Sequence, residues 1–235
     1  MSSDGQTSLP PLVLLPGMMC DARLWADMAP QLGAHAALHY GDLTLDDTLA
    51  AMAGRVLATA PDRFHLCGFS MGGYVAREIV LTASERVLSL ILVNTSSAGT
   101  GPEELARHRD MARLVEAGPF TGLTRGNLKK SVDPGREHDS ALLDRIQQMA
   151  RDLGPTVFAR QLRLVRDDGR VRLADIACPT LVVAARGDRL RGIEDSRILA
   201  AGIPSARLEI MENCGHMTPL ERPEALNALI VDWLS

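Results

Sequence analysis

The chain has 235 residues, 46% hydrophobic and 23% charged, enough apolar content to build the core of one medium-sized enzyme domain. A net charge of −4 and a pI near 5.9, with no long basic tract, argue against a nucleic-acid partner. Cys20, Cys67, Cys178 and Cys214 lack CxxC or metal-ligand spacing and three adjoin apolar runs, so they read as reduced packing residues of a cytoplasmic protein.

In chain order, Met1 to Pro11 is polar without a positive charge, and Leu12–Leu15 is too short for a signal-peptide core or a membrane span. Secretion would need some other route, and no membrane partner is expected. Leu12–Leu15 reads instead as a first strand, and Ala36–Tyr40 as a second. Thr44 is expected to cap a helix whose face carries Leu45, Leu49, Met52, Val56 and Leu57, with Asp46 and Asp47 in the first turn. Pro61 follows its end. Phe64–Cys67 is the third strand, and Gly68-Phe69-Ser70-Met71-Gly72 leads from it into a segment with Val75, Ile79 and Val80 at helical spacing.

A serine on a tight strand-to-helix turn is placed to act as a nucleophile. The turn forces its central residue to a strained positive φ, and Gly68 and Gly72 omit the Cβ atoms that would collide there. A Gly-Ser turn without chemistry is the alternative, and the flanking pattern disfavours it: Val87–Val93 follows as a buried parallel strand.

From Gly99 to Arg172 the alternation of strand and helix stops. Glu103–Ala117 reads as a helix, Leu142, Ile146, Met149, Ala150 and Leu153 form one helical stripe, and Phe158, Leu162 and Val165 form a second. Residues 99–172 are therefore expected to form a helical cap over the strand ends, with 1–98 and 173–235 as the core; a packing layer remote from the site is the other reading. Strands resume at Thr180–Ala184 and Arg207–Met211, and a last helix from about Pro223 to Leu234 carries Leu226, Leu229, Ile230 and Trp233 on one stripe. Asp188 follows the first of these strands and His216 the second. The fold expected is α/β, a mostly parallel sheet of about six strands flanked by helices, with Ser70, Asp188 and His216 carried to one edge.

The chain resembles the α/β-hydrolase superfamily through Leu14-Leu15-Pro16-Gly17-Met18, Gly68 to Gly73, Cys178 to Val183 with Asp188, and Gly215-His216. Among small capped members it is similar to carboxylesterases of the kind that include pimeloyl-carrier-protein methyl ester esterase and 3-oxoadipate enol-lactonase. The resemblance implies a serine hydrolase with Ser70 as nucleophile, His216 as base, Asp188 as its orienting acid, and the backbone N–H groups of Met18 and Met71 as the oxyanion hole. Three departures stand out. Pro16-Gly17 replaces the family's frequent His-Gly, so no side chain there braces the oxyanion loop; too few residues precede Leu12 for a full N-terminal hairpin; and the loop after Asp188 lacks a common proline.

Met19, Trp25 and Phe69 adjoin the motif loops and are candidates for an apolar acyl pocket, with core filling as the alternative. The 99–172 segment holds more Lys and Arg than Asp and Glu while the remainder is net negative. An anionic or carrier-linked acyl substrate would suit that polarity, although solvated helix faces explain it equally and are preferred. His35, His39, His65, His108 and His138 lack metal-pair spacing, and there is neither a dinucleotide turn nor a P-loop, so no metal and no cofactor are expected. The reaction expected is cleavage of a carboxylic ester, lactone or thioester. C–C bond hydrolysis, cofactor-free perhydrolysis and a non-turning ligand receptor stay open on the same framework, whereas haloalkane dehalogenation would need a carboxylate at position 70.

Overall fold

Residues in the apolar runs alternate between two cores. Leu12, Leu14, Cys67, Phe69, Ile91, Val93, Leu181 and Val183 face one cluster, while Val13, Leu15, Leu66, Leu90, Leu92 and Val182 face another. Burial on both faces suits parallel strands flanked by helices. The computed structural model, in which residues 9–235 are described, has that architecture.

The strands are β1 (Pro11–Leu15), β2 (Ala37–Tyr40), β3 (Phe64–Phe69), β4 (Val87–Val93), β5 (Thr180–Ala185) and β6 (Ala206–Met211). They form one sheet in the order β2-β1-β3-β4-β5-β6, every neighbouring pair parallel. The helices are α1 (Ala29–Leu32), α2 (Leu49–Thr59), α3 (Met71–Thr82), α4 (Pro102–Ala117), α5 (Arg125–Lys130), α6 (Ser140–Leu162), α7 (Ile193–Gly202), α8 (Thr218–Glu221) and α9 (Pro223–Leu234). One core takes its helical side from α2, α3 and α7; the other takes it from α1, α5, α6 and α9. All six expected strands are present. The expected lack of an N-terminal hairpin bears on residues 1–8, which lie outside the described residues.

Two local expectations are corrected. Thr44 does not cap α2: Asp42 Oδ1 accepts from its N–H at 2.9 Å and its hydroxyl at 2.6 Å, which locks it into a turn. The cap is Thr48, whose Oγ1 accepts from Ala51 N–H at 3.1 Å, so Asp46 and Asp47 precede the helix. Val165 does not extend the stripe of Phe158 and Leu162, because the helix ends at Leu162 and Val165 is exposed.

Between β4 and β5 the described residues form helices and turns but no strand, and α4 packs on α6. Helix α6 is two helices in sequence. Gly154 sits at φ 80°, ψ 179°, and Pro155, lacking an N–H, opens the second half as a favoured first-turn residue. That break turns Phe158, Gln161 and Leu162 toward the strand ends, where all three line the cavity described below.

Candidate active site

Among the described residues four non-glycines hold positive φ: Met19 at 55°, Ser70 at 52°, Asn94 at 46° and Asn213 at 54°. They follow the C-terminal ends of β1, β3, β4 and β6. Asparagine tolerates this region better than methionine or serine, for which such strain costs about 1–3 kcal/mol and persists only where neighbours enforce it. The strained residues therefore mark one edge of the sheet.

At Ser70 the enforcing contacts are visible. A Cβ on Gly68 would lie 2.5 Å from Gly72 O, and one on Gly72 would lie 2.5 Å from Leu15 O, so glycines let β3, α3 and β1 close. Ser70 N–H donates to Val93 O at 2.9 Å, and Thr95 Oγ1 donates to Ser70 O at 2.7 Å. The hydroxyl is left free to face the cavity.

His216 Nε2 lies 2.9 Å from Ser70 Oγ, and its Nδ1 lies 2.7 Å from Asp188 Oδ2. Asp188 Oδ1 accepts the N–H groups of Leu190 at 2.7 Å and Arg191 at 2.9 Å, which fixes the carboxylate plane without the proline absent from this loop. An ionised carboxylate only accepts, so the imidazole proton belongs on Nδ1 and Nε2 becomes the acceptor for the serine hydroxyl. His216 is 6% exposed and Asp188 8%, so solvent competes little for these bonds. The three residues separated by up to 146 positions in sequence are one hydrogen-bonded chain.

Polar residues not anticipated from sequence hold the histidine loop. Asn94 Nδ2 donates to His216 O at 2.8 Å and to Thr218 Oγ1 at 2.6 Å. Buried Glu221 accepts from Gly215 N–H at 3.0 Å and Asp133 N–H at 2.8 Å, and Met217 N–H donates to Ser131 O at 2.9 Å. Burial pushes the Glu221 carboxyl above its usual range, against the pull of those two donors. The signal for Asn94 was the polar run Asn94-Thr95-Ser96 directly after an apolar strand. Glu221 offered none, since a carboxylate near a helix start is ordinary.

Ser70 and His216 open onto a cavity of about 490 Å³. Its apolar wall includes Met18, Met19, Phe69, Met111, Ile146 and Phe158, and its polar wall includes Glu104, Arg107, Lys130, Arg166 and Arg191. Trp25, by contrast, is fully buried in the core beside Leu24 and Met28 and does not line the cavity. Burial pushes Glu104 up, but its bond to Arg166 and the charges of His108 and Arg191 outweigh that and leave it below its ordinary range. The N–H groups of Met18 and Met71, on the same cavity, have no protein acceptor among the described residues. A separate cleft of about 540 Å³ beside Arg125, Asp144 and Arg151 contains none of the three bonded residues.

A family model described as the alpha/beta hydrolase family matches residues 12–229. The pimeloyl-(acyl-carrier protein) methyl ester esterase of Aromatoleum aromaticum is 29% identical over 95% of this chain and 97% of its own. A 2-hydroxy-6-oxononadienedioate/2-hydroxy-6-oxononatrienedioate hydrolase 2 of Pseudomonas putida is 31% identical over 80% of this chain and 68% of its own. Among solved structures, a thermophilic esterase from Thermogutta terrifontis has a TM-score of 0.87 at 24% identity, covering 97% of this chain and 90% of that one, a likeness of fold. The elbow at residue 70, the all-parallel six-stranded sheet and a match spanning nearly every described residue place this chain in the alpha/beta hydrolase family.

Proposed function

We propose that the protein is a serine hydrolase that cleaves a carboxylic ester, lactone or thioester through an acyl-enzyme. The observation that carries this reading is His216 bonded at once to Ser70 Oγ and Asp188 Oδ2. Ser70 Oγ attacks the carbonyl carbon while His216 Nε2 takes its proton. Asp188 holds the tautomer and stabilises the imidazolium. Charge moves onto the carbonyl oxygen, where the unpaired N–H groups of Met18 and Met71 are the donors at hand. The C–O or C–S bond then breaks and His216 protonates the leaving group. Water, deprotonated by His216, attacks the acyl carbon and releases Ser70.

The helices of residues 99–172 serve in this reading as a cap, because α4, α5 and α6 each contribute to the cavity wall. Among the described residues, Arg107, Lys130 and Arg191 line it without a carboxylate within ion-pair distance, which supports an acyl substrate carrying a negative charge, free or carrier-linked. The free, mostly buried cysteines support a cytoplasmic setting. Hydrolysis of a C–C bond is the second reading, favoured by relatives such as the Pseudomonas putida protein named for an oxo-dienedioate.

A fluorophosphonate probe tests the nucleophile. Labelling of the native protein, lost in Ser70→Ala and His216→Ala together with p-nitrophenyl ester turnover, is the expected result; absence of labelling at any pH would favour a ligand receptor.

A further inference from the structure

The oxyanion loop begins Pro16-Gly17, with no side chain of its own to brace it, yet Met19 N–H is buried and held at positive φ. Gly17 to Cys20 form a four-residue turn closed by Cys20 N–H to Gly17 O at 3.2 Å, with Met19 in its third position. A turn with positive φ there normally requires glycine; for methionine the opposite orientation of the central peptide, with negative φ, is the relaxed one. Something outside the turn must hold the Met18–Met19 peptide.

That partner is Gln161. Its side chain is 1% exposed and reaches in from the second half of α6, where Oε1 accepts Met19 N–H at 2.8 Å and Nε2 donates to Leu43 O at 3.2 Å. The amide orientation is fixed by its partners, since an N–H can only donate and a carbonyl can only accept. One amide thus joins the loops after β1 and β2 to a helix of the inserted segment. Met18 N–H lies in the preceding peptide plane with Gly17 O, the acceptor that closes the same turn, so Gln161 acts on it through the shared Met18 Cα: releasing the next peptide frees the Met18 torsions that fix where that N–H points.

We propose that Gln161 is a positioning residue that holds the oxyanion loop in its strained, donor-presenting form. The inference rests on the proposed serine mechanism. A misaimed oxyanion donor weakens transition-state binding and leaves ground-state binding alone, so the loss belongs in kcat.

The test compares wild type, Gln161→Leu and Gln161→Glu by kcat and KM on a p-nitrophenyl ester and by the Ki of a trifluoromethyl ketone, which forms an oxyanion on the serine. Gln161→Leu should lower kcat about 10- to 100-fold with KM within about twofold, and weaken the ketone by the same factor. Gln161→Glu keeps an acceptor for Met19 N–H and should lose less. Its kcat relative to wild type should rise as pH is lowered, because the introduced carboxyl, once protonated, can again donate to Leu43 O. Overturning results are kcat and Ki within about twofold of wild type in Gln161→Leu, or a loss confined to KM. If Gln161→Leu does not fold, Gln161→Glu decides: a relative kcat that stays level with pH overturns the proposal. Fluorophosphonate labelling of wild type keeps the two readings apart. No labelling defeats the serine mechanism, whereas normal labelling with unaffected Gln161 variants defeats only this inference.

Discussion

At the scale of single residues, the proposed chemistry depends on which atom of each side chain is already engaged. Asp188 is the instructive case, because Oδ1 accepts two backbone N–H groups and only Oδ2 meets His216. In Asp188→Asn the amide oxygen must stay on Leu190 and Arg191, which turns the NH₂ group toward His216 Nδ1. The imidazole then has to accept at Nδ1 and carry its proton on Nε2, where it faces Ser70 and can no longer act as base. The expected outcome is a fall in kcat of roughly 10⁴-fold with a melting temperature close to wild type. Near-native turnover in this variant would mean that another acid orients the histidine. Ser70, Asp188 and His216 could be singled out from sequence only jointly, by the glycine-flanked turn at Ser70 and the Ser, Asp, His order in loops after strands, since Asp188 or His216 alone reads as an ordinary turn or surface residue. Gln161 could not, since its role depends on how a helix restarts after Gly154 and on a φ value at Met19 that no pattern of residue types encodes.

At the scale of elements, short continuous apolar runs made the central strands legible, because both of their faces are buried, while helix starts were decided by competition among neighbouring polar side chains. Thr44 and Thr48 both precede apolar residues and either could cap α2. Asp42 captures Thr44 first through two bonds, leaving Thr48 to accept Ala51 N–H. The exposed Leu45 agrees with this later start, since it falls outside the helix instead of on its buried face. Thr48→Ala should therefore destabilise the protein by about 1 kcal/mol, the usual loss for a removed N-cap, and lower the melting temperature by about 2–4 °C. Thr44→Ala should cost clearly less in the same urea or thermal titration. Equal losses in the two variants would show that Asp42 and Thr44 also carry the helix start. The Gly154-Pro155 break belongs to the same scale: both residues are visible in the sequence, but their consequence, a second helix turned toward the cavity, is a matter of packing.

At the scale of the whole molecule, titration divides into two sets with opposite signs. The bond to Arg55 holds half-buried Asp46 low, the Leu142 N–H and then Arg136 do the same for Asp139, and Arg170 takes Asp168 from 3.8 down to about 2. For such groups the unfolded chain binds protons first, so their stabilisation is present above the unfolded value and lost as pH falls toward about 2. The Asp168 pair is exposed and the other two are partly so, and screening should let salt blunt this acid limb. Glu221 runs the other way. Its carboxyl is raised by burial from an ordinary 4.5, so its contribution is complete below that value and declines as pH climbs through the raised one. Glu221→Gln removes the second behaviour and leaves the first. Comparing melting temperatures from pH 2 to 8, the two proteins should share the same acid limb, and the variant should gain on wild type steadily above about pH 4.5, whatever fixed offset it carries from one altered bond at Gly215 or Asp133. A difference that stays constant across that range would mean that the two backbone donors, and not burial, govern this carboxyl. The histidine loop would then be clamped by a permanent charge.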